Sequence, residues 1–150
     1  MTNSKVLNKL GPCGLNCSKC FAYKDGEIGK LSSELKYKLG KFDAYAERFV
    51  ELLEEPIFNK YPDFKEMLNH FANASCNGCR EDSCKLFTSC KVKQCSKDHS
   101  VDFCFQCKQF PCSKHGFDEH LEKRWLTIQN KMKINGVEEY FEEIKDQARY

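Results

Sequence analysis

The sequence predicts a mainly α-helical protein in which about five helices pack beside an irregular, cysteine-rich lobe. Two stretches, 27–75 and 116–150, contain no cysteine and carry apolar residues at helical spacing. All eleven cysteines fall in 11–26 and 76–115, and the second of these stretches has no sustained helical or strand period. The 150 residues are therefore interpreted as one domain, 1–150, with a cysteine-rich lobe and a helical part.

Five helices are predicted from apolar residues that recur every three or four positions. Gly40 separates the first from the second, Pro56 stops the second, and Pro62 suits the first turn of the third. Gly136 separates the fourth from the fifth. Stripes of this kind are expected to form the core, because a helix must bury one face. In chain order the stripes are Leu31, Leu35 and Leu39; Phe42, Tyr45, Phe49, Leu52 and Leu53; Tyr61, Phe64, Met67, Leu68 and Phe71; Phe117, Leu121, Trp125, Ile128 and Met132; and Val137, Tyr140, Phe141, Ile144 and Ala148.

The cysteine content indicates either a disulfide scaffold outside the cell or metal sites inside it. Residues 1–10 are polar and contain lysine, without the apolar stretch of a signal peptide or a membrane span. We therefore expect a cytoplasmic protein with reduced thiols and no membrane contact. The near balance of 24 basic and 22 acidic residues gives no strong overall field for nucleic acid or membranes.

The spacing of the cysteines predicts metal ligands. A two-residue turn between two cysteines aims both sulfurs at one ion, and Gly78 inside CNGC can adopt a positive φ. The 76–115 stretch has little apolar material of its own, so bound metal would hold it together. Its seven lysines and arginines against four acids would offset the charge of bound thiolates. Structural zinc is the metal that we expect.

The grouping of these ligands is predicted from distance along the chain. Three neighbouring cysteines need a distant fourth, so Cys13, Cys17 and Cys20 are grouped with Cys112. Cys84 has no near partner and is expected to bind no metal. The pair in CNGC would close with two later thiols, and two histidines remain as alternative ligands against the simpler reading of exposed side chains. These residues are Cys76 and Cys79, then Cys90, Cys95, Cys104 and Cys107, and finally His99 and His115.

Four motifs occur in order along the chain: GPCGLNCSKCFAY, CNGCR, KVKQC and FCFQCKQFPC. The series resembles the bacterial and archaeal family known as domain of unknown function 3795, over roughly residues 11–115. The resemblance implies a metal-binding protein, commonly taken to bind zinc, and implies no particular reaction. Cys84 matches none of its positions. The motif cysteines that the resemblance implies as ligands are Cys13, Cys17, Cys20, Cys76, Cys79, Cys90, Cys95, Cys104, Cys107 and Cys112.

The predicted function is that of a small zinc-binding protein acting as a binding or scaffold module, with a protein partner left open. An iron–sulfur electron carrier or sensor is one alternative, because sites made only of cysteine hold either zinc or clusters. A nucleic-acid-binding zinc module is another, although Phe87, Phe103, Phe105 and Phe110 are expected first to cover the metal site. A catalytic role is not expected, since the sequence contains neither H-E-x-x-H nor the deaminase order of motifs.

Overall fold

The computed structural model describes residues 2–150, and the mainly α-helical prediction is confirmed. The chain divides into two compact units. The cysteine unit joins Met1–Cys20 to Cys76–Tyr150, and the middle unit is Phe21–Ser75. The described residues contain seven α-helices: α1 (Ser4–Leu7), α2 (Glu27–Leu39), α3 (Asp43–Leu52), α4 (Tyr61–Ala72), α5 (Val92–Asp98), α6 (Glu119–Asn135) and α7 (Val137–Ile144).

The middle unit contains the first three predicted helices as α2, α3 and α4. Gly40 ends α2 with a positive φ of 53°, and Pro62 lies in the first turn of α4, as predicted. The prediction that whole stripes form the core is wrong here. Leu31 is 64% exposed and Met67 54%, whereas Tyr61 and Leu68 are buried. Three helices of 13, 10 and 12 residues offer too little facing surface to cover every apolar side chain.

The hydrophobic core of the cysteine unit contains residues from its N-terminal and C-terminal parts, which are far apart in sequence. The α6 and α7 helices supply Trp125, Met132 and Tyr140, and the cysteine-rich segments supply Leu10 and Phe103. The sequence interpretation instead grouped 116–150 with 27–75 as one helical part. The apolar stripes of α6 and α7 need cover, and the cysteine-rich segments provide it while burying their own few apolar residues.

Buried hydrogen bonds tie the first cysteine-rich segment to these helices. The Gln129 side chain on α6 is fully buried; its Nε2 donates to the Pro12 carbonyl at 3.2 Å, and its Oε1 accepts from the Phe105 N–H at 2.8 Å. The Tyr140 hydroxyl on α7 donates to the Gly14 carbonyl at 3.1 Å. One glutamine therefore fixes both cysteine-rich segments against α6, since unpaired polar groups at this depth would cost free energy.

Two short helices, α1 and α5, were not predicted from the sequence. Their four and seven residues are too few to repeat an apolar stripe. Within residues 2–150, none of the helices combines the length and the apolar character that crossing a membrane would require.

Candidate metal centre

All eleven cysteines lie in the cysteine unit, although 55 residues of the middle unit separate Cys20 from Cys76 in sequence. Each is a free thiol, and Cys13, Cys90 and Cys104 lie in the hydrophobic core or pack against it. The fold therefore gathers cysteines that are remote in sequence, as metal binding requires. Their role as ligands stays a prediction.

Cys17, Cys79 and Cys84, here called the Cys17 cluster, are linked by hydrogen bonds between their side chains. The Cys79 thiol lies between the other two and bonds to both. The Cys79 N–H also points to Cys17 Sγ at 3.5 Å. Cys17 begins a 3₁₀ turn, Cys17–Lys19, whereas Cys79 and Cys84 flank a tight turn. Three thiols from two remote segments thus meet at one place.

The expectation that Cys84 has no near partner is wrong. After Gly78 the chain reverses, because the Gly78 carbonyl accepts from the N–H groups of Glu81 at 3.1 Å and Asp82 at 2.8 Å. This reversal brings Cys84 back to Cys79. Gly78 has a φ of 99°, which confirms the positive φ predicted for it. Spacing along the chain could not show a turn that forms between the two cysteines.

Further thiols surround the Cys17 cluster. Gly11 lies against it, since a Cβ there would be 3.4 Å from Cys13 Sγ and 3.5 Å from Cys17 Sγ. Cys20 and Cys76 are near enough to interact electrostatically, and the Gly78 N–H donates to Cys76 Sγ at 3.4 Å. Backbone N–H groups that face sulfur stabilise its charged form, which is the form that binds metal.

Electrostatics in the Cys17 cluster favour two thiolates that share one proton. The hydrogen bond from the Cys79 thiol lowers the pKa of Cys17 to about 6 and that of Cys84 to about 5. The same hydrogen bonds raise the pKa of Cys79, which keeps its proton. The Arg149 guanidinium also lowers the pKa of Cys17 and Cys84. Burial raises the pKa of the neighbouring Cys13 to about 12, so that thiol remains neutral.

A second set of thiols, the Cys104 group, consists of Cys95, Cys104, Cys107 and Cys112. Cys95 and Cys104 each interact electrostatically with Cys112. The Gln109 N–H donates to Cys107 Sγ at 3.4 Å, and burial raises the pKa of Cys104 to about 11. This differs from the predicted grouping, in which Cys112 joined the first three cysteines. Cys13, Cys17 and Cys20 lie near Cys79 instead. Their distance from Cys79 in the sequence could not predict this proximity.

The sulfur donors of both sets suit a thiophilic metal, but the side chains do not converge on a common point in this structure. Within residues 2–150, no three cysteine, histidine, aspartate or glutamate side chains surround one point as ligands of an ion. The sulfurs of the Cys17 cluster are hydrogen-bonded to one another. The Cys79 proton would have to leave before one ion could bind all three.

A protein-family model matches residues 9–116, and its description is protein of unknown function (DUF3795). The chain belongs to this family. The match covers every cysteine of the DUF3795 chain, and therefore both the Cys17 cluster and the Cys104 group. It leaves out α6, α7 and Arg149. No curated protein and no solved structure matches the chain.

The two histidines that sequence left open differ in this DUF3795 protein. His115 is buried, its Nδ1 accepts from the Phe117 N–H at 2.9 Å, and its Nε2 faces Glu122 Oε1 at 3.2 Å. The ring also stacks on Phe117 with centroids 4.9 Å apart. Both nitrogens are engaged, so His115 belongs to the core in this structure. His99 is an exposed residue at the end of α5.

The phenylalanines of the cysteine-rich segment pack inward. Phe103 is fully buried and stacks on Phe105, and Phe110 packs edge-on against Trp125 with centroids 5.2 Å apart. Phe87 contacts Phe117 in the same way. Phe87, Phe105 and Phe110 are only half-buried, so part of each ring stays accessible, and the nucleic-acid alternative stays a prediction.

Arg149 is the residue near the thiols that the sequence interpretation missed. Its Nη1 donates to the Asn16 carbonyl at 2.5 Å, and its charge reaches Cys13, Cys17 and Cys84. An isolated arginine beyond the last helix has no motif that distinguishes it from a surface residue. Only the packing of α7 on the first cysteine-rich segment could reveal it.

Proposed function

We propose that this DUF3795 protein binds zinc through the Cys17 cluster, and that the ion holds the cysteine unit together as a structural module. The observation that carries the proposal is the meeting of Cys17, Cys79 and Cys84 as hydrogen-bonded free thiols. Zinc in structural sites takes four ligands, usually thiolates or imidazoles, at sulfur distances of about 2.3 Å. Cys13, Cys20 and Cys76 are the neighbours from which a fourth thiolate would come.

The protonation of the cluster supports this function. Cys17 and Cys84 have pKa values of about 6 and about 5, so both are thiolates at neutral pH. Metal binding to cysteine requires deprotonated sulfur and releases whatever protons remain. In this cluster the remaining proton is that of Cys79. Zinc would take the place of this proton between the three sulfurs, and a fourth ligand such as the neutral Cys13 would release its own proton on binding the ion.

The zinc would link two chain segments that Arg80 also joins through its hydrogen bonds to the carbonyls of Leu7 and Leu10. Cys17 belongs to the segment before the middle unit, and Cys79 and Cys84 belong to the segment after it. A bound ion would stabilise the folded state, because only the fold brings these ligands together. The Cys104 group would hold a second ion in the same way, although its thiols share a single chain segment.

The test is elemental analysis of full-length protein purified without oxygen and without chelator. The wild type is expected to contain zinc, and Cys79→Ser is expected to lose one equivalent. Cys107→Ser is expected to lose a different equivalent, and Ser83→Ala, an exposed neighbour of Cys84, is the matched control that keeps the full content. A folded wild type without metal, or a Cys79→Ser variant with unchanged metal content, would refute the proposal.

An iron–sulfur cluster is a second candidate that one observation favours. A cavity of about 370 Å³ borders four thiols, those of Cys13, Cys79, Cys84 and Cys90, and its walls combine apolar side chains with polar ones. A single zinc ion fits between its sulfurs and needs no cavity, whereas clusters held by four cysteines are larger. Iron and acid-labile sulfide in the same preparation, together with visible absorbance, would identify the cluster. A colourless protein with stoichiometric zinc would exclude it.

A further inference from the structure

The cysteine unit has a second, larger cavity with no cysteine in its lining. Its volume is about 560 Å³, which is within the range of small-molecule sites. Most of the residues that line it are polar, apart from Pro12 and Val101, and most of the polar ones are basic or carry a hydroxyl. Six of them matter here: Arg80, Lys93, Ser96, Lys97, Ser100 and Asp102.

One face of α5 and the residues just after it supply four of these side chains. Lys93, Ser96 and Lys97 follow the spacing i, i+3 and i+4, which places them on a single side of α5, and Ser100 lies just beyond the end of the helix with a φ of 53°. Ser96 is buried and its hydroxyl donates to the Lys93 carbonyl at 2.8 Å, which leaves its oxygen able to accept. The helix and the turn after it therefore bring two ammonium groups and the Ser100 hydroxyl to one cavity.

Arg80 faces the cavity from another segment and is held rigidly. Its Nε donates to the carbonyls of Leu7 and Leu10, both at 2.9 Å, and its Nη2 donates to the Asp102 carbonyl at 2.9 Å. The guanidinium also lies over the Phe103 ring, 4.9 Å from its centroid. Within the described chain it forms no ion pair with a carboxylate. The Asp102 carboxylate and the thiols of Cys17 and Cys13 interact with it electrostatically, and the guanidinium stays charged and contributes a fixed positive charge to the cavity.

The balance of charge in the cavity is positive. Three cations face it and one carboxylate, Asp102, opposes them. The Lys93 ammonium donates to the Glu81 carbonyl at 2.5 Å, so its position is fixed. The Lys97 ammonium makes no hydrogen bond or ion pair with any other residue between 2 and 150. It is therefore the side chain that is able to turn toward a ligand.

We propose that this cavity binds a small molecule that carries a phosphate monoester. Such a group has nearly two negative charges at neutral pH and several strong acceptor oxygens, which complements three cations and the Ser100 hydroxyl. Arg80 and Lys93 supply a fixed positive field, while Lys97 and Ser100 donate hydrogen bonds to the oxygens. The rest of the cavity accommodates the organic part of the ligand. The lining contains no cysteine, although Lys93 also borders the cavity beside the thiols, and the Arg80 guanidinium interacts electrostatically with Cys17 and Cys13.

The test is nuclear magnetic resonance of isotope-labelled full-length protein, with its metal as purified. Inorganic phosphate and adenosine 5′-monophosphate are the two probes. We expect both to shift the amide signals of residues 93–102. The monoester should bind more tightly, because its organic part also contacts the cavity. Lys97→Glu should weaken the binding of the monophosphate by about tenfold or more, since a charge-assisted hydrogen bond is lost and repulsion is gained.

Lys133→Glu is the matched control, because it makes the same change of net charge at an exposed lysine outside the cavity. Equal weakening by the two variants would mean that only the overall charge attracts phosphate, and would overturn the proposal. So would the absence of shifts in residues 93–102 at millimolar probe. A single-stranded oligonucleotide without terminal phosphate that binds more tightly than the monophosphate would overturn the assignment to a small molecule. Lys97 is exposed, so its replacement is expected to leave the fold and the metal content unchanged.

Discussion

Replacement of Gly14 by alanine should destabilise the cysteine unit through two separable effects. Gly14 has a φ of 86°, in the left-handed region that side chains other than glycine rarely adopt. It also lies so close to α6 that an added Cβ would be 2.3 Å from Ile128 Cγ2 and 2.8 Å from Met132 Cε. Both neighbours are buried, so neither can move away without disturbing the core.

The magnitude follows from these two effects. Backbone strain at positive φ costs about 1–2 kcal/mol. Forcing a methyl group into a filled core costs about 1–3 kcal/mol. We therefore expect Gly14→Ala to lower the free energy of unfolding by about 2–5 kcal/mol. The loss would include part of the hydrogen bond from Tyr140 to the Gly14 carbonyl, if the loop shifts outward.

Gly136→Ala is the control that isolates backbone strain. Its φ of 92° is similar, but nothing lies within 4 Å of the position of its Cβ. Urea denaturation should be followed by the fluorescence of Trp125, the only tryptophan, which lies in the core of the cysteine unit. Gly14→Ala should lose clearly more stability than Gly136→Ala. Equal losses in the two variants would show that close packing of this loop on α6 does not contribute.

Two further predictions concern ionisation. In metal-free, reduced protein at pH 6, Arg149→Ala should decrease the ultraviolet absorbance of thiolate, because the guanidinium no longer lowers the pKa of Cys17 and Cys84; an unchanged titration curve would contradict the role given to Arg149. In the same metal-free form, stability should fall at alkaline pH. Burial raises the pKa of Cys13 from 9.0 to about 12 and that of Tyr140 from 10.0 to about 12, so the unfolded chain loses these protons first. This stabilisation is complete below pH 9 and lost between pH 9 and 12. The midpoints of urea denaturation, measured across that range, should fall. Midpoints that do not change with pH would exclude a contribution from these two groups.

The sequence predicted the helices because each long one repeats an apolar stripe several times. Trp125 and Ile128 on α6 are buried as the period requires, and Gly40 and Pro62 mark boundaries that the structure keeps. The same reasoning overstated burial in the middle unit. The period shows which residues share a face of a helix, and it cannot show whether another element covers that face, as the exposed Leu31 illustrates.

The sequence predicted which thiols are candidate ligands, but it did not predict which of them contact one another. The motifs indicated which cysteines are candidate ligands, but Cys84 was set aside because it has no near partner in the sequence. Its contact with Cys79 depends on a turn made by backbone hydrogen bonds of Gly78. The basic cavity was equally hidden, because α5 is too short for its period to distinguish it from a loop.

The division of the cysteine unit into two distant stretches has a consequence for how the protein is made. A ribosome releases Cys13, Cys17 and Cys20 long before it has translated α6 and α7, which form most of their supporting core. The middle unit can fold during that interval, because domains generally fold as they emerge. The first three cysteines of the chain must therefore stay reduced without their supporting core until the final helices of the same chain have been translated.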